Sequence, residues 1–373
     1  MDNENFRKII IDRITREGPI TFREFMDMAL YYPGGGYYRS ERMPIGPEGD
    51  YYTSPHLHPV FGWLLAVQLD EMRDKMGAPG GFTVLEIGAG KGFLARDIID
   101  FVQRNLHWRN WQYIILEKSP YTSNIQKKLL EDFRDVIRWV KDLKELEPFR
   151  GAVITNELLD AFPIHMIEYR HGFKEVHVSC EGDDFKEVFP EIDNEELVDY
   201  ISEYNLPVID GYRTEVNLAI RDFLKRVDAV LFEGFIITVD YGYPSWEYYS
   251  EERNRGTLLC YHYHNTSENP YENIGSQDIT AHVNFSSVKR WGEAIGLSTA
   301  GYCPQGTFLV SLGIDRMIAE EIERNPDFLR DIPKIKGLIL GIGDTHKVLV
   351  QYKGDMEITT LRGFKLRNRV GRL

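Results

Sequence analysis

The sequence predicts a Rossmann-like, doubly wound α/β sheet, and three observations carry that expectation. First, TVLEIGAGKGF at 83–93 is an apolar strand that runs into a glycine-rich turn and a helix reaching about Asn105. Second, WQYIILEKSP at 111–120 is another apolar strand, ending at the acid Glu117. Third, apolar strand-like runs recur at DVIRWV (135–140), GAVITN (151–156), FIITVDYGYP (235–244) and HKVLVQYK (346–353). Segments with helical spacing lie between the early strands, the alternation expected of a mostly parallel sheet.

The first turn carries the chemistry. Gly88, Gly90 and Gly92 let the backbone approach a ligand where a side chain would clash, with Ala89 between them. The helix that follows offers unpaired N–H groups at its start. The third glycine comes one residue earlier than in the dinucleotide fingerprint, and no Lys-Ser or Lys-Thr pair follows as a P-loop requires. A tight turn without a ligand and a dinucleotide site remain the alternatives. The pattern that starts at Glu86, E-x-G-x-G-x-G, resembles motif I of class I S-adenosylmethionine methyltransferases. That resemblance implies that Glu86 and the glycine backbone hold the methionine end of the cofactor.

The later strand tips supply further candidates. An acid at the tip of the second strand is placed to take ribose hydroxyls, which points to Glu117. Ser119-Pro120 also opens a helix to about Asp132, so Glu117 serves equally in a helix N-terminal region. Asp142, after the third strand, is placed for the adenine edge or is a surface acid. The fourth strand ends in Asn156-Glu157, with Asp160 three residues on. Asn156 is a candidate for both cofactor and acceptor contact. Glu157 and Asp160 are candidates to hold and polarise a cationic acceptor such as a guanidinium. Helix capping by Asn156 with acids in the first turn explains the same residues without catalysis. His282, in QDITAHV, is a candidate general base or a hydrogen-bonded structural histidine. Tyr52, Thr53 and Ser54 lead a polar loop into a helix and are candidates for a lid or a substrate wall. Cys260, His262, His264 and His282 match common zinc spacings poorly, and no metal is expected.

Composition narrows the function classes. A chain of 373 residues with 43% hydrophobic content can bury a large core. With 44 basic against 58 acidic residues the net charge is −14, which argues against general nucleic-acid binding and is compatible with a cationic protein substrate. Cys180, Cys260 and Cys303 are widely spaced and suggest reduced thiols. The N-terminus lacks the pattern of a signal or transit peptide, and no apolar run reaches the length of a membrane span. These features lead to the expectation of a cytoplasmic protein.

The chain organises around the nucleotide core. Residues 1–80 read as an N-terminal helical lobe with a lid loop. Phe6, Ile10 and Ile14 have helical spacing, and Thr21 with Glu24 forms the sequence signature of a capping box. Ser54 and Pro55 are expected to open one long helix. Residues 81–353 form the core, interrupted by insertions at about 164–210, 245–284 and 314–344, and residues 354–373 make a basic tail. The first insertion alternates apolar and polar residues and reads as antiparallel strands. A helix is expected from about Glu215 to Val230. Whether two copies pair as a homodimer through the inserted lobes is left open.

Several motifs in order, GDYYTSPHLHPVFGWLL, LEIGAGKGFLARDII, LEKSPYTSNIQKKLL, NELLDAFP, VDYGYP, GTLLCY and QDITAHVNF, resemble the MidA family. This is a family of class I methyltransferases that includes a mitochondrial complex I assembly factor, a protein-arginine methyltransferase. The resemblance spans about Ile20 to Gly313. It implies a seven-stranded methyltransferase sheet, S-adenosyl-L-methionine as cofactor and an arginine in a protein partner as acceptor, by analogy a respiratory complex I subunit. Two departures stand out. Leu158 and Leu159 replace the family's phenylalanine pair, and Leu259 stands where GTLRAY has arginine, with Arg253 or Arg255 as candidates to compensate. A cofactor-binding assembly chaperone and a nicotinamide-dependent oxidoreductase are the competing readings.

Overall fold

The computed structural model describes residues 3–39, 53–357 and 359–373. The chain divides into two compact units, one of residues 1–51, 159–222 and 243–284 and one of residues 52–158, 223–242 and 285–373.

The second unit is built on the sheet. Its strands are β1 (Phe82–Ile87), β2 (Trp111–Leu116), β3 (Ile137–Val140), β4 (Phe149–Asn156), β5 (Leu231–Tyr243), β6 (Ser298–Pro304) and β7 (His346–Lys353). The main path runs β6-β7-β5-β4-β1-β2-β3. β3, β2, β1, β4 and β5 pair in parallel, while β7 runs antiparallel to both β5 and β6. After β1 the chain builds β2 and β3 on one side, then returns to place β4 and β5 on the other. The order therefore reverses between β1 and β4, and a ligand crevice opens at the carboxyl ends of these two strands. Every residue of β1 is buried, as a parallel strand covered on both faces requires. Helices Val60–Lys75 and Phe93–Phe101 bring Phe61, Leu64, Leu65, Ile98 and Ile99 into the same core as Val84, Tyr113 and Ile237.

Two helices differ from expectation. The long helix expected from Ser54 is two, Ser54–Leu57 and Val60–Lys75. Pro59 disfavours helical backbone at the preceding residue, and His58 is extended at φ −163°. The glycine-loop helix is α-helical only to Phe101 and finishes in a π turn, Val102–Leu106.

The first unit has its own core. Helix Asn3–Glu17 buries Phe6, Ile10 and Ile14, as its spacing predicts. Helix Phe22–Tyr31 is capped by Thr21, whose hydroxyl accepts from the Glu24 amide at 3.1 Å while Glu24 accepts from the Thr21 amide at 3.0 Å. Strands His165–Tyr169, Phe173–Glu175, His177–Glu181 and Asp184–Val188 are antiparallel. The helix expected from Glu215 begins later, at Ala219, because Arg213–Val216 is a strand paired with His165–Glu168. The stretch 245–284 contains a small sheet of Leu259–His262, Asn265–Ser267 and Asp278–Thr280.

Candidate active site

The glycine loop leaves β1 through residues that only glycine fills without strain. Gly88, Gly90 and Gly92 take φ of +78°, +52° and +88°. A Cβ on Gly88 would stand 2.8 Å from Leu158 Cδ1, so the loop is packed against the leucine that follows Glu157. Gly92 caps helix Phe93–Phe101 in the left-handed conformation, which leaves the first N–H groups of the helix at the crevice.

Gln126 ties the first two strand tips together. Its Nε2 donates to the Gly90 carbonyl at 2.9 Å and to Glu117 Oε2 at 3.1 Å, while Trp139 Nε1 donates to its Oε1 at 3.0 Å. Glu117 Oε1 accepts from the Ser119 amide at 2.7 Å. Ser119 in turn N-caps helix Pro120–Leu129, so Glu117 and the cap coexist. Sequence reasoning passed over Gln126, whose partners lie on two other elements. Asp142 is exposed and caps the short 3-10 helix Leu143–Glu145, the surface alternative weighed for it. Backbone hydrogen bonding to the Lys144 amide holds its carboxyl below the usual range.

Glu86 is placed differently from its neighbours. It is buried and accepts a hydrogen bond from Tyr113 on β2 at 2.8 Å. Burial pushes its carboxyl up from 4.5 to about 7, against the Tyr113 hydrogen bond. An acid whose folded pKa is raised holds its proton in the native state after the unfolded chain has lost it. Stability from this group is therefore lost as pH rises from 4.5 to about 7 and stays low above that. Glu86→Gln is expected to outlast wild type in urea at pH 8, by about 3 kcal/mol at most, with the difference closing near pH 4.5. Equal urea midpoints at pH 8 would contradict this.

At the tip of β4 the backbone is strained. Glu157 is not a glycine, yet its φ is +50°. Its amide donates to the Val239 carbonyl at 2.8 Å, which holds the turn against β5. The carboxylate is 4% exposed. Oε1 lies 3.4 Å from the Ser54 amide, 3.3 Å from Asn156 Nδ2 and 3.4 Å from His346 Nε2. Oε2 accepts from the Tyr241 hydroxyl at 3.5 Å. The next residue, Leu158, donates its amide to Asp240 at 3.2 Å. Thr53 and Ser54 begin helix Ser54–Leu57, and Ser54 thus meets Glu157 directly; Tyr52 lies outside the described residues. His346 was missed by sequence reasoning, which saw only the strand it starts.

Asp160 and His282 belong to the first unit. The Asp160 carbonyl accepts from the Ala281 amide at 2.9 Å, so NELLDAFP and QDITAHV meet there. His282 is anchored through its backbone, its amide donating to Thr257 and its carbonyl accepting from Tyr248, both at 3.0 Å. Those anchors stand around Glu215, a buried acid that accepts from the Thr257 and Leu258 amides at 2.7 and 2.8 Å. GTLLCY therefore wraps a carboxylate that its own sequence does not reveal. Arg253 does not stand in for the missing arginine as a free group: it lies 3.9 Å over the Tyr243 ring and donates to the Glu247 carbonyl.

The residues fit an adenosyl amino-acid ligand. Asn156 Oδ1 is buried at the crevice with no hydrogen-bond partner among the described residues, an acceptor that a ligand amino group would satisfy. Positive-φ glycines, helix N–H groups and the Glu117 carboxylate complete a cradle for carboxylate, backbone and hydroxyl groups.

A family model described as S-adenosyl-L-methionine-dependent methyltransferase matches residues 64–303. The chain belongs to this methyltransferase family. A Burkholderia thailandensis protein with S-adenosyl-homocysteine bound superposes with a TM-score of 0.91, at 30% identity over 100% of this chain and 97% of that one. The native structure from that organism gives a TM-score of 0.88 at the same identity and coverage. A protein arginine methyltransferase NDUFAF7 homolog, mitochondrial, from Drosophila melanogaster is 26% identical over 92% of this chain and 83% of its own length. The Bos taurus protein arginine methyltransferase NDUFAF7, mitochondrial, is 26% identical over 85% of this chain and 75% of its own.

As a member of this family the protein is an enzyme that uses S-adenosylmethionine on a Rossmann-like α/β sheet. The nicotinamide reading is thereby closed. The expectation of a cytoplasmic location is corrected: these curated relatives are named as mitochondrial proteins. Among the described residues no helix is long and apolar enough to cross a membrane.

Proposed function

We propose that this methyltransferase methylates an arginine side chain of a protein partner. The observation that carries the reading is the Glu157 carboxylate, buried and held on strained backbone beside Asn156 at the tip of β4. A fixed carboxylate is what a guanidinium needs for charge-assisted orientation. The relatives named as protein arginine methyltransferases support the same acceptor. Respiratory complex I is the family's suggestion for the partner.

In this reading the Gly88–Gly92 loop and Glu117 hold the cofactor, with Asn156 between cofactor and acceptor. Glu86, buried with Tyr113, supports the loop from beneath. Thr53 and Ser54 form the edge that closes on Glu157. The acceptor-side roles of Asp160 and His282 rest on their sequence motifs, and a homodimer rests on no observation beyond the sequence. When bound, S-adenosylmethionine supplies a sulfonium methyl: its S–C bond breaks as a guanidinium N–C bond forms, and the methylated guanidinium keeps its charge after one proton leaves. The chain's own task is to hold the acceptor nitrogen in line, mainly a matter of positioning.

The test is methyl transfer from radiolabelled S-adenosylmethionine to the host's counterpart of the complex I subunit. Label recovered as methylarginine after acid hydrolysis is the expected result, with loss of label when the acceptor arginine is changed to lysine. Label on another residue type would overturn the arginine assignment while leaving the methyltransferase chemistry intact.

A further inference from the structure

The short helix Ser54–Leu57 touches both of the tips that flank the crevice. At one end the Ser54 amide meets Glu157 after β4, and the Ser54 hydroxyl donates to Gln305 Oε1 at 3.1 Å. At the other, the His56 ring stands edge-on to Phe93, the residue that follows the glycine loop, with centroids 4.9 Å apart. Thr53 occupies the N-cap position and yet does not cap the helix. Its hydroxyl goes to His56 Nδ1 instead, at 2.8 Å. The other ring nitrogen, Nε2, is buried and has no hydrogen-bond partner among the described residues. A buried polar atom left in this way costs stability until something pairs with it.

The neighbouring histidine shows the contrast. His58 Nδ1 accepts from the Val60 amide at 3.1 Å and its Nε2 lies 3.7 Å from Asp331, so its ring is used within the fold. His56 is different in charge as well as in contacts. Burial pushes its ring down from 6.5 to about 4, and the Lys91 ammonium of the glycine loop acts in the same direction. The ring is therefore neutral at neutral pH, with one nitrogen protonated and the other carrying a lone pair. A threonine hydroxyl donates to Nδ1 as readily as it accepts, so Thr53 allows the proton to sit on Nε2. Lys91 and the first N–H groups of helix Phe93–Phe101 make this edge of the crevice favourable to an anion.

We propose that His56 is a cofactor-binding residue: with Thr53 donating to Nδ1, its Nε2–H donates to the carboxylate at the amino-acid end of S-adenosylmethionine. Asn156 Oδ1, the buried acceptor beside Glu157, is left for the amino group on the same carbon. The two unpaired atoms thus divide the amino-acid end between them. Thr53–Leu57 becomes a strap across the crevice whose hold on the cofactor runs through one side chain. The assignment does not depend on which acceptor is methylated.

Calorimetry with two ligands tests it. S-adenosyl-homocysteine carries the amino-acid end, and 5′-methylthioadenosine has the same adenosine and thioether without it. His56→Leu keeps an apolar contact to Phe93 and removes the donor. It is expected to weaken S-adenosyl-homocysteine by about 10- to 100-fold, the range of a hydrogen bond to a charged group, and methylthioadenosine by less than about threefold. Normal methylthioadenosine binding is also the check that the pocket of the variant is folded. His56→Gln places an amide N–H near Nε2 and is expected to bring S-adenosyl-homocysteine back to within about tenfold of wild type. Equal losses for the two ligands would make His56 a wall of the pocket and overturn the contact, as would an unchanged affinity for S-adenosyl-homocysteine. Should His56→Leu fail to fold, imidazole 15N spectra of the wild-type protein decide. S-adenosyl-homocysteine is expected to fix the proton on His56 Nε2 and shift that nitrogen, and methylthioadenosine to leave it in place. Identical spectra with the two ligands would refute the proposal.

Discussion

Glu157→Gln is expected to lower kcat/KM for methyl transfer by about 100-fold while S-adenosyl-homocysteine still binds within about threefold of wild type. The substitution keeps shape and length and removes only the charge. Hydrogen bonds to a charged group contribute about 1.5–3 kcal/mol, which converts to roughly 10- to 150-fold. Glu157 also gives its amide to Val239, and the glutamine backbone does the same, so the tip of β4 keeps its turn. The cofactor side is held separately, by Gln126 bridging Gly90 and Glu117. Steady-state kinetics with calorimetry separates the two effects. A variant with unchanged kcat/KM would remove Glu157 from the acceptor site. A variant that loses cofactor affinity in equal measure would instead make it a cofactor ligand. Glu157→Gly is the sharper control: it relieves the positive φ and is expected to fold at least as well, yet to be as inactive as the glutamine variant.

What the sequence made legible was local. The capping box of Thr21 and Glu24, the cap and proline pair at Ser119-Pro120 and the glycine turn after β1 are each written within a few residues, and each stands in the structure as read. The apolar runs of β1, β2 and β4 were legible because a strand buried on both faces needs no partner information to be recognised. Non-local features were not. β6 escaped notice because its register slips between Thr299 and Gly301, which breaks the alternation a strand would show. The Glu215 strand was read as the start of a helix because its β character comes from pairing with His165 and Met166, some fifty residues earlier. His346 meets Glu157 only because β7 runs antiparallel beside β5, which lies beside β4. Its own surroundings, GDTHKVLV, carry no sign of a catalytic neighbour. Asn156 and Glu157 were legible as a pair, and the departure of Glu157 from ordinary backbone was not.

The glycine loop gives the other large effect. Gly88→Val is expected to abolish measurable S-adenosyl-homocysteine binding, a loss of at least about 100-fold, in a protein that still folds. Two costs combine. At φ +78° a side chain is already disfavoured, by about 1–2 kcal/mol, and a β-branched one more so. A Cβ would also meet Leu158 Cδ1 at 2.8 Å. The leucine can swing aside, but it follows Glu157, so relief of the clash disturbs the acceptor-side tip as well. The backbone strain has no such relief and is resolved only by turning the loop, which moves the N–H groups that face the ligand. Thermal unfolding reads the result directly. At about 100 times its dissociation constant the ligand stabilises wild type by roughly 2.7 kcal/mol, and the variant is expected to gain nothing. Gly90→Val, at φ +52°, is expected to behave in the same way. Gly88→Ala carries the strain with less bulk and is expected to fall between wild type and Gly88→Val. Wild-type affinity in Gly88→Val would mean that the crevice between β1 and β4 is not where the cofactor sits, and the assignments of Glu117 and Asn156 would fall with it.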